Sequence, residues 1–395
     1  MRNLARIIGK IGDSTIWTKH FSEHTSRKIP CIPHARSIVR AMSDASHNQP
    51  SKLIRERDSV QFDALVAPLR GKRIAVLGYG NQGRAHALNL RDSGLEVIVG
   101  GRPRAHGGVA GERARSDGFT AMDFAQASAQ ADLVIVAIPD QAQPTAWARW
   151  IEPSLRSGTV VGFVHGFAIR FGFIQPPDAL DLGVVLLAPK GPGATVRARF
   201  VAGQGIPALL AVHRENKAQT ARAFATAWGA GIGCTRSGLL ETSFAAEAES
   251  DLFGEQAVLC GGMLGLVEVA FEIAVAAGYP PEVAYIECCH ELKQVADLLY
   301  ARGPSGMRRA ISDTAEFGAF VAANSILNED LKNKLHALLG DVRSGAFAAR
   351  FMRDHDAGHP EFTAWRNAAE AHPIEDASAR VRALMPWLAQ EGESK

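Results

Sequence analysis

The chain has 395 residues, 47% hydrophobic and 21% charged, a globular composition that excludes a disordered or fibrous chain and leaves room for two domains. The net charge of +2 hides an asymmetry: residues 1–41 carry eight Lys/Arg against two acids, a surplus of six, so the remainder is net negative by four. A mildly acidic body without a basic, aromatic-studded patch excludes nucleic acid as the main partner.

Residues 1–41 lack the apolar core of a secretory signal, and their Arg, Ser and His content with few acids is transit-like. They read as an extension that is disordered or processed, or as the result of an early start codon with Met42 as the true beginning, and they stay outside the fold reading. A cytoplasmic location is expected, an organelle being the alternative if the segment directs import. Five cysteines (Cys31, Cys234, Cys260, Cys288, Cys289) form no CxxC and no zinc spacing, so they read as small buried residues in a reducing compartment.

From Gly71 short β-rich runs alternate with helical stretches. Arg73–Leu77, Leu95–Val99, Leu133–Ile138, Thr159–Val164, Val184–Leu187 and Pro207–Val212 have strand length, and helical segments such as Arg84–Asp92 intervene. That alternation predicts a parallel sheet covered on both faces. After the first run, Gly78-Tyr79-Gly80-Asn81-Gln82-Gly83 fits G-x-G-x-x-G between a strand and a helix. Its glycines allow a tight turn, close approach to a pyrophosphate and close helix packing, so the stretch predicts dinucleotide binding. The next strand ends at Gly100-Gly101-Arg102-Pro103-Arg104, where an NAD enzyme usually carries an acid; two arginines suit the 2′-phosphate of NADP instead, unless they are simply solvated.

Past residue 240 the strand signal stops, and stretches rich in Ala, Leu and Glu continue with breaks at Gly278–Pro281 and Gly303–Pro304. The chain therefore divides into the extension (1–41), an α/β dinucleotide-binding domain (42–242) and an all-helical domain (243–395). The apolar run near 257–278 is interrupted by Glu268 and Glu272, so it reads as a core helix and no membrane span is expected. Two carboxylate pairs, Asp251/Glu255 and Glu287/Glu291, are spaced i,i+4 in segments that read as largely buried helix. Such pairs usually belong to solvated faces. Four acids in a buried site would instead repel and lose hydration unless a cation sat among them, and oxygen ligands favour a hard ion such as Mg²⁺.

From about Gly71 to Trp387 the chain resembles the ketol-acid reductoisomerase (acetohydroxy acid isomeroreductase) family in its short, class I form. The matching stretches include Gly78–Leu90 with Ser93-Gly94, Ile138-Pro139-Asp140, Val164-His165-Gly166-Phe167 and Ala188-Pro189-Lys190-Gly191-Pro192-Gly193. Asp251-Leu252-Phe253-Gly254-Glu255-Gln256, Leu259–Gly262, His290-Glu291-Leu292-Lys293 and Met385-Pro386-Trp387 continue the match in the helical domain. The resemblance implies a Rossmann-type doubly wound sheet followed by a knotted all-α domain that interlocks with a partner's, making a homodimer or larger assembly. It implies conversion of 2-acetolactate or 2-aceto-2-hydroxybutyrate to 2,3-dihydroxy acids in branched-chain amino-acid biosynthesis, with NADP(H) and two Mg²⁺. Asp251, Glu255, Glu287 and Glu291 are then the metal ligands, with Asp251 bridging. Ser312 contacts substrate, and His165, Lys190, Glu255, Glu291 and Ser312 form the catalytic set. Arg102, Asp140, Gln141, Ala142, Gln143 and Gly193 join the glycine turn around the cofactor.

Some positions depart from the family pattern. Ala168 and Arg170 stand in place of an asparagine and a histidine, Ala194 in place of a histidine, Ala105 and Gly107 in place of serines, and Asp313 in place of an asparagine. The first three remove hydrogen-bonding groups beside the cleft. All four metal acids persist, so an active enzyme is expected. A divergent paralogue acting on a related 2-keto-3-hydroxy acid, or an inactive cofactor-binding member, are the alternatives.

Overall fold

Runs of Val, Ile and Leu bounded by Gly and Asp make the strands, and the computed structural model, which describes residues 52–102 and 110–388, assembles them into one nine-stranded sheet. The strands are β1 (Leu53–Ile54), β2 (Arg73–Leu77), β3 (Glu96–Gly101), β4 (Ala121–Asp123), β5 (Leu133–Val136), β6 (Val160–Phe163), β7 (Gly183–Pro189), β8 (Ala208–Arg214) and β9 (Leu239–Glu241). Their order is β1-β9-β8-β7-β6-β5-β2-β3-β4. All six runs expected from the sequence are strands. The other three, of two or three residues, are too short to show a period. The expectations placed on residues 1–41, Cys31, Pro103, Arg104, Ala105 and Gly107 lie outside the described residues.

The centre of the sheet, from β7 through β6, β5 and β2 to β4, is parallel. Ile74–Leu77 and Leu133–Val136 are fully buried, as strands covered on both faces must be. Helices α1 (Ser59–Val66), α2 (Asn81–Asp92), α3 (Ala110–Ser116), α4 (Phe124–Gln130), α5 (Phe167–Arg170), α6 (Gly193–Val201) and α7 (Ala221–Gly231) fill the connections. The wholly parallel reading is corrected at two joints, since β7/β8 and β1/β9 pair antiparallel. The physical reason at β8 is a long-range contact: α6 packs on α2, and the chain re-enters beside the end of β7 that it left, with Ala208 paired to Pro189.

Among the described residues after β9 only helix follows: α8 (Phe244–Gly254), a π-helical turn at Glu255–Leu259, α9 (Gly261–Ala276), α10 (Pro281–Tyr285), a second π turn at Ile286–His290, α11 (Leu292–Arg308), α12 (Asp313–Ile326), α13 (Glu329–Ser344), α14 (Ala346–Asp356), α15 (Pro360–Glu370) and α16 (Pro373–Ala383). Ser243 starts α8 by accepting a hydrogen bond from the Ala246 N–H. Gly303, at φ 68°, bends α11 just before Pro304.

Two burial expectations fail here. The apolar run is not a core helix: in α9 only Val267 and Phe271 are buried, while Met263, Leu264, Leu266, Val269 and Ile273 are 44–65% exposed. Nor do Glu268 and Glu272 break it enough, because Phe244–Ala276 remains long and apolar enough to cross a bilayer by length and composition. The cause is a small local core, built by Val267, Phe271, Ala284, Tyr285, Ile374, Ala377 and Val381, which covers one face of α9 and leaves the other without a neighbour among the described residues. The cysteine reading holds only in part. Cys234 is buried, Cys288 and Cys289 are half-buried, and Cys260 is exposed.

Candidate active site

The turn from β2 to α2 is shaped by its glycines. Gly78 has φ 95°, and a Cβ there would lie 2.6 Å from the Ala137 carbonyl oxygen; a Cβ on Gly83 would lie 2.1 Å from the Gly78 oxygen. A Cβ on Gly80 would meet nothing within 4 Å, so that position faces open space at the N-terminus of α2, where backbone N–H groups favour an anion. The turn borders a cleft of about 500 Å³, lined also by Arg102, Phe124, Ile138, Asp140, Gln143, Val164 and His165. It lies where strand order reverses between β2 and β5, the switch point at which such sheets bind ligands.

The predicted cofactor residues divide by what their side chains do. Arg102 is exposed at the cleft edge. Tyr79 contributes backbone to the turn, but its ring is buried and its hydroxyl donates to Asp117 at 2.8 Å. Gln82 donates to the Gly191 carbonyl at 2.9 Å, tying the turn to the loop after β7. Gln143 donates to Asp140 at 3.0 Å. Gln141 and Ala142 share a short 3₁₀ turn with Asp140 but do not line the cleft. Gly193 lies on the far side of the turn, where its missing side chain admits the Asn81 backbone.

Asp140, His165 and Lys190 follow the carboxyl ends of β5, β6 and β7 and meet acids from α8. His165 Nδ1 lies 3.1 Å from an Asp140 oxygen, and its Nε2 lies 3.6 Å from Asp251 and 4.0 Å from Glu247. That Nε2 is buried without a hydrogen-bond partner. The Lys190 ammonium donates to Glu247 at 2.7 Å and to Asp251 at 2.9 Å. Glu247, only 1% exposed, also accepts from the Gly166 N–H at 2.8 Å, so both of its oxygens are engaged. Gly166 has to be glycine for this contact, since a Cβ would lie 2.7 Å from the Phe244 carbonyl and 3.0 Å from the Glu247 carboxylate.

Charge follows from that packing. Burial opposes protonation of His165, but the Asp140 hydrogen bond and the charges of Asp140, Glu247 and Asp251 outweigh it and raise its pKa to about 9. Lys190 is likewise opposed by burial and held above its usual range by Glu247 and Asp251. Glu255 is exposed as a residue, yet desolvation of its carboxyl and then the charge of Asp251 raise it, against His165 and Lys190. His165 and Lys190 are therefore held as cations beside the acids of α8, and Glu255 is harder to ionise than an ordinary carboxyl.

Not every predicted ligand joins them. Among the described residues, His165, Glu247 and Asp251 form the group whose potential ligand atoms lie within 4.8 Å of one another. Glu287 and Glu291 are exposed, with no hydrogen bond or ion pair holding either carboxylate among the described residues. Ser312 is exposed and caps α12 by accepting from the Ala315 N–H at 3.2 Å. Glu247 was missed by the sequence reading, although its signal was available. Glu247, Asp251 and Glu255 are three acids in i,i+4 steps along one helical face.

Comparison with known proteins places both parts of the chain in one family. Residues 68–238 match the family described as acetohydroxy acid isomeroreductase, NADPH-binding domain, and residues 244–387 match ketol-acid reductoisomerase, C-terminal domain. An NADH-preferring ketol-acid reductoisomerase from an uncultured archean is 38% identical, with a TM-score of 0.78, over 85% of this chain and 99% of its own. A semialdehyde dehydrogenase NAD-binding protein from Cupriavidus necator is similar in fold alone, at 20% identity and a TM-score of 0.53 over 69% of this chain and 99% of its own.

Proposed function

The chain belongs to the ketol-acid reductoisomerase family, making it a nicotinamide-dependent oxidoreductase that also isomerises, and we propose that it converts 2-acetolactate or 2-aceto-2-hydroxybutyrate to the 2,3-dihydroxy acid with NADPH and Mg²⁺. One observation carries the reading: His165, which lines the cleft that the glycine turn borders, also meets Asp251 and Glu247, the two acids that hold Lys190.

The donor set fits a hard divalent ion. Asp251 and Glu255 offer oxygens from one helix face, and Glu255 is crowded by the Asp251 charge in a way a cation would relieve. Mg²⁺ held by Asp251 and Glu255, with Glu287 and Glu291 from a second copy, would supply Lewis-acid polarisation of the substrate oxygens. The nicotinamide supplies hydride for the reduction. The remaining work belongs to side chains of this chain. Lys190, fixed by two carboxylates, presents positive charge where a substrate carboxylate or developing alkoxide would lie. His165, oriented through Nδ1 by Asp140, directs Nε2 into the site and can hold a proton there. Glu255, one turn along the helical face from Asp251, is placed to take the hydroxyl proton as a carboxylate during alkyl migration and to return one.

A second copy of the chain is part of this proposal. The open face of α9 carries Leu264, Leu266, Val269 and Ile273, and the Glu287 and Glu291 carboxylates also stand exposed. A bilayer would be a poor cover, because Glu255, Glu268 and Glu272 belong to the same helical run. A copy of the same helices buries the apolar face and brings acids to acids, so the homodimer is the working unit.

The choice of NADPH rests on Arg102 at the cleft edge, against the NADH preference of the archaeal relative. The test is oxidation of NADPH and of NADH with 2-acetolactate, with and without Mg²⁺. Turnover that needs Mg²⁺ and favours NADPH is expected. Activity confined to another 2-keto-3-hydroxy acid would instead mark a paralogue.

A further inference from the structure

We infer that Arg170 is a positioning residue, which clamps α5 to the back of α8 and thereby sets how His165 and Asp251 face each other. The inference rests on the reductoisomerase reading for its kinetic consequence, though not for its geometry. In the sequence, Arg170 reads as the loss of a hydrogen-bonding group beside the cleft. In the fold it gains one that spans the Rossmann-like domain and the helical part.

Its Nε donates to Glu249 at 2.7 Å, and the same guanidinium donates to the Arg343 carbonyl at 2.9 Å. Arg343 returns to Glu249 at 3.6 Å, so one carboxylate on α8 is shared by arginines from α5 and α13. The Arg170 and Glu249 side chains are 28% and 20% exposed, and the guanidinium lies over the Phe171 ring at 5.1 Å. A planar fork held on an aromatic face loses little freedom on pairing, unlike an ordinary surface pair. Phe167, Leu252, Val342 and Ala348 form the apolar joint beside it.

The register on α8 turns this clamp into a positioning device. Glu247 and Asp251 are each two residues from Glu249, so they project from nearly the opposite side of the helix. Holding Glu249 from behind fixes the rotation of α8 about its axis, and with it the direction of Glu247 and Asp251. The other partner is α5, the single turn that follows His165. Its start is pinned where the Gly166 N–H meets Glu247, and its last residue, Arg170, is pinned at Glu249. With both ends attached to α8, the His165 Nε2 to Asp251 separation of 3.6 Å has little room to vary. A misplacement of about an ångström at such a site can cost ~100-fold in rate.

The test uses the full-length enzyme with 2-acetolactate, Mg²⁺ and NADPH. Arg170→Ala should lower kcat ~10- to 100-fold and leave the KM for NADPH within about twofold. Arg170→Lys should recover part of the loss, because an ammonium can reach Glu249 without the fork to the Arg343 carbonyl. Titration with Mg²⁺ alone should show weaker binding in Arg170→Ala, since Asp251 is less well placed. A urea-unfolding cycle of Arg170→Ala, Glu249→Ala and the double variant should show coupling of at least ~3-fold in the unfolding constant. Wild-type kcat in Arg170→Ala, a parallel loss of NADPH affinity, or strictly additive unfolding effects would each overturn the clamp. If the wild type were inactive toward 2-acetolactate while the cycle showed coupling, the clamp would stand and the reductoisomerase reading would fall.

Discussion

The Rossmann-like domain finishes its own packing, whereas the helical part does not. Ile74–Leu77, Leu133–Val136 and the whole of β7 are buried by helices of the same chain, and the cofactor turn is complete down to its backbone contacts. Across the helical part, α9 leaves Leu266 and Ile273 59% and 65% exposed, and two predicted metal acids stand in solvent. The difference lies in where burial is completed. A parallel sheet must be covered on both faces before it is stable, and its crossover helices supply the cover. An apolar helix face can wait for a second chain. In the proposed dimer the cofactor cleft would lie within one protomer, and each protomer would give the metal site half of its acids.

The strongest way to break that contrast is to make the open face of α9 permanently polar. Leu264→Glu combined with Ile273→Glu alters two side chains already 50% and 65% exposed, so neither change empties a core within the protomer. Sedimentation should show a dimer becoming a monomer, and reductoisomerase activity should fall to background because Glu287 and Glu291 no longer reach a second copy's Asp251. NADPH affinity should stay within about threefold, since the cleft is complete in one chain. An unchanged mass with full activity would mean that the face is covered by something other than a second copy.

Next in size is the junction between the two regions, Glu247. Glu247→Ala removes a 1%-exposed carboxylate that holds the Lys190 ammonium and the Gly166 N–H together. Breaking a buried pair from one side costs about 3 kcal/mol, here reduced somewhat because Lys190 can turn toward water. A lower midpoint in thermal unfolding is expected, with kcat down by ~100-fold or more as Lys190 loses its fixed position. Glu247→Gln should keep the Gly166 bond and most of the stability but lose the ion pair, so its defect should appear mainly in kcat. A variant that unfolds early yet turns over normally would reduce Glu247 to a structural acid.

How much of this was legible in the sequence follows the same division. The strands of the Rossmann-like domain could be read because their periodicity is local, and the glycine turn because its three glycines stand at a fixed local spacing, although the atoms that crowd Gly78 belong to Ala137 and Ile138, far along the chain. The antiparallel β8 could not, since it depends on α6 packing against α2, a choice between two helices distant in sequence. Asp251 and Glu255 were readable from spacing. Glu247 carried the same spacing signal but was passed over, because a single buried acid matters only once Lys190 and Gly166 are brought to it by separate strands. The exposure of α9 was misread because an apolar period says only that a face will be covered, not whether the cover comes from the same chain. Arg170 was misjudged for a related reason: its partners lie 79 and 173 residues away.

The smallest expected effect separates two glycines of one turn. Gly78 has φ 95° and no room, because its Cβ would come within 2.6 Å of the Ala137 oxygen and 2.7 Å of the Ile138 side chain. Gly78→Ala should therefore disturb the join of β2, β5 and α2, lowering the unfolding midpoint as well as cofactor affinity. Gly80 has an ordinary negative φ of −80° and open space where its side chain would be. Gly80→Ala should leave the thermal stability of the free protein unchanged, or raise it slightly by stiffening the unfolded chain. The added methyl projects toward the position a pyrophosphate would take, so NADPH should bind ~10-fold more weakly. Differential scanning calorimetry of the free protein, paired with NADPH titration by fluorescence, reads both quantities. Equal losses of stability in the two variants would show that Gly80 is needed for the fold, and the cleft would then be less complete before its cofactor arrives than its packing indicates. A defect confined to binding in Gly80→Ala would show that the Rossmann-like domain builds the empty cleft by itself, in contrast to α9, whose open face the proposed dimer would complete.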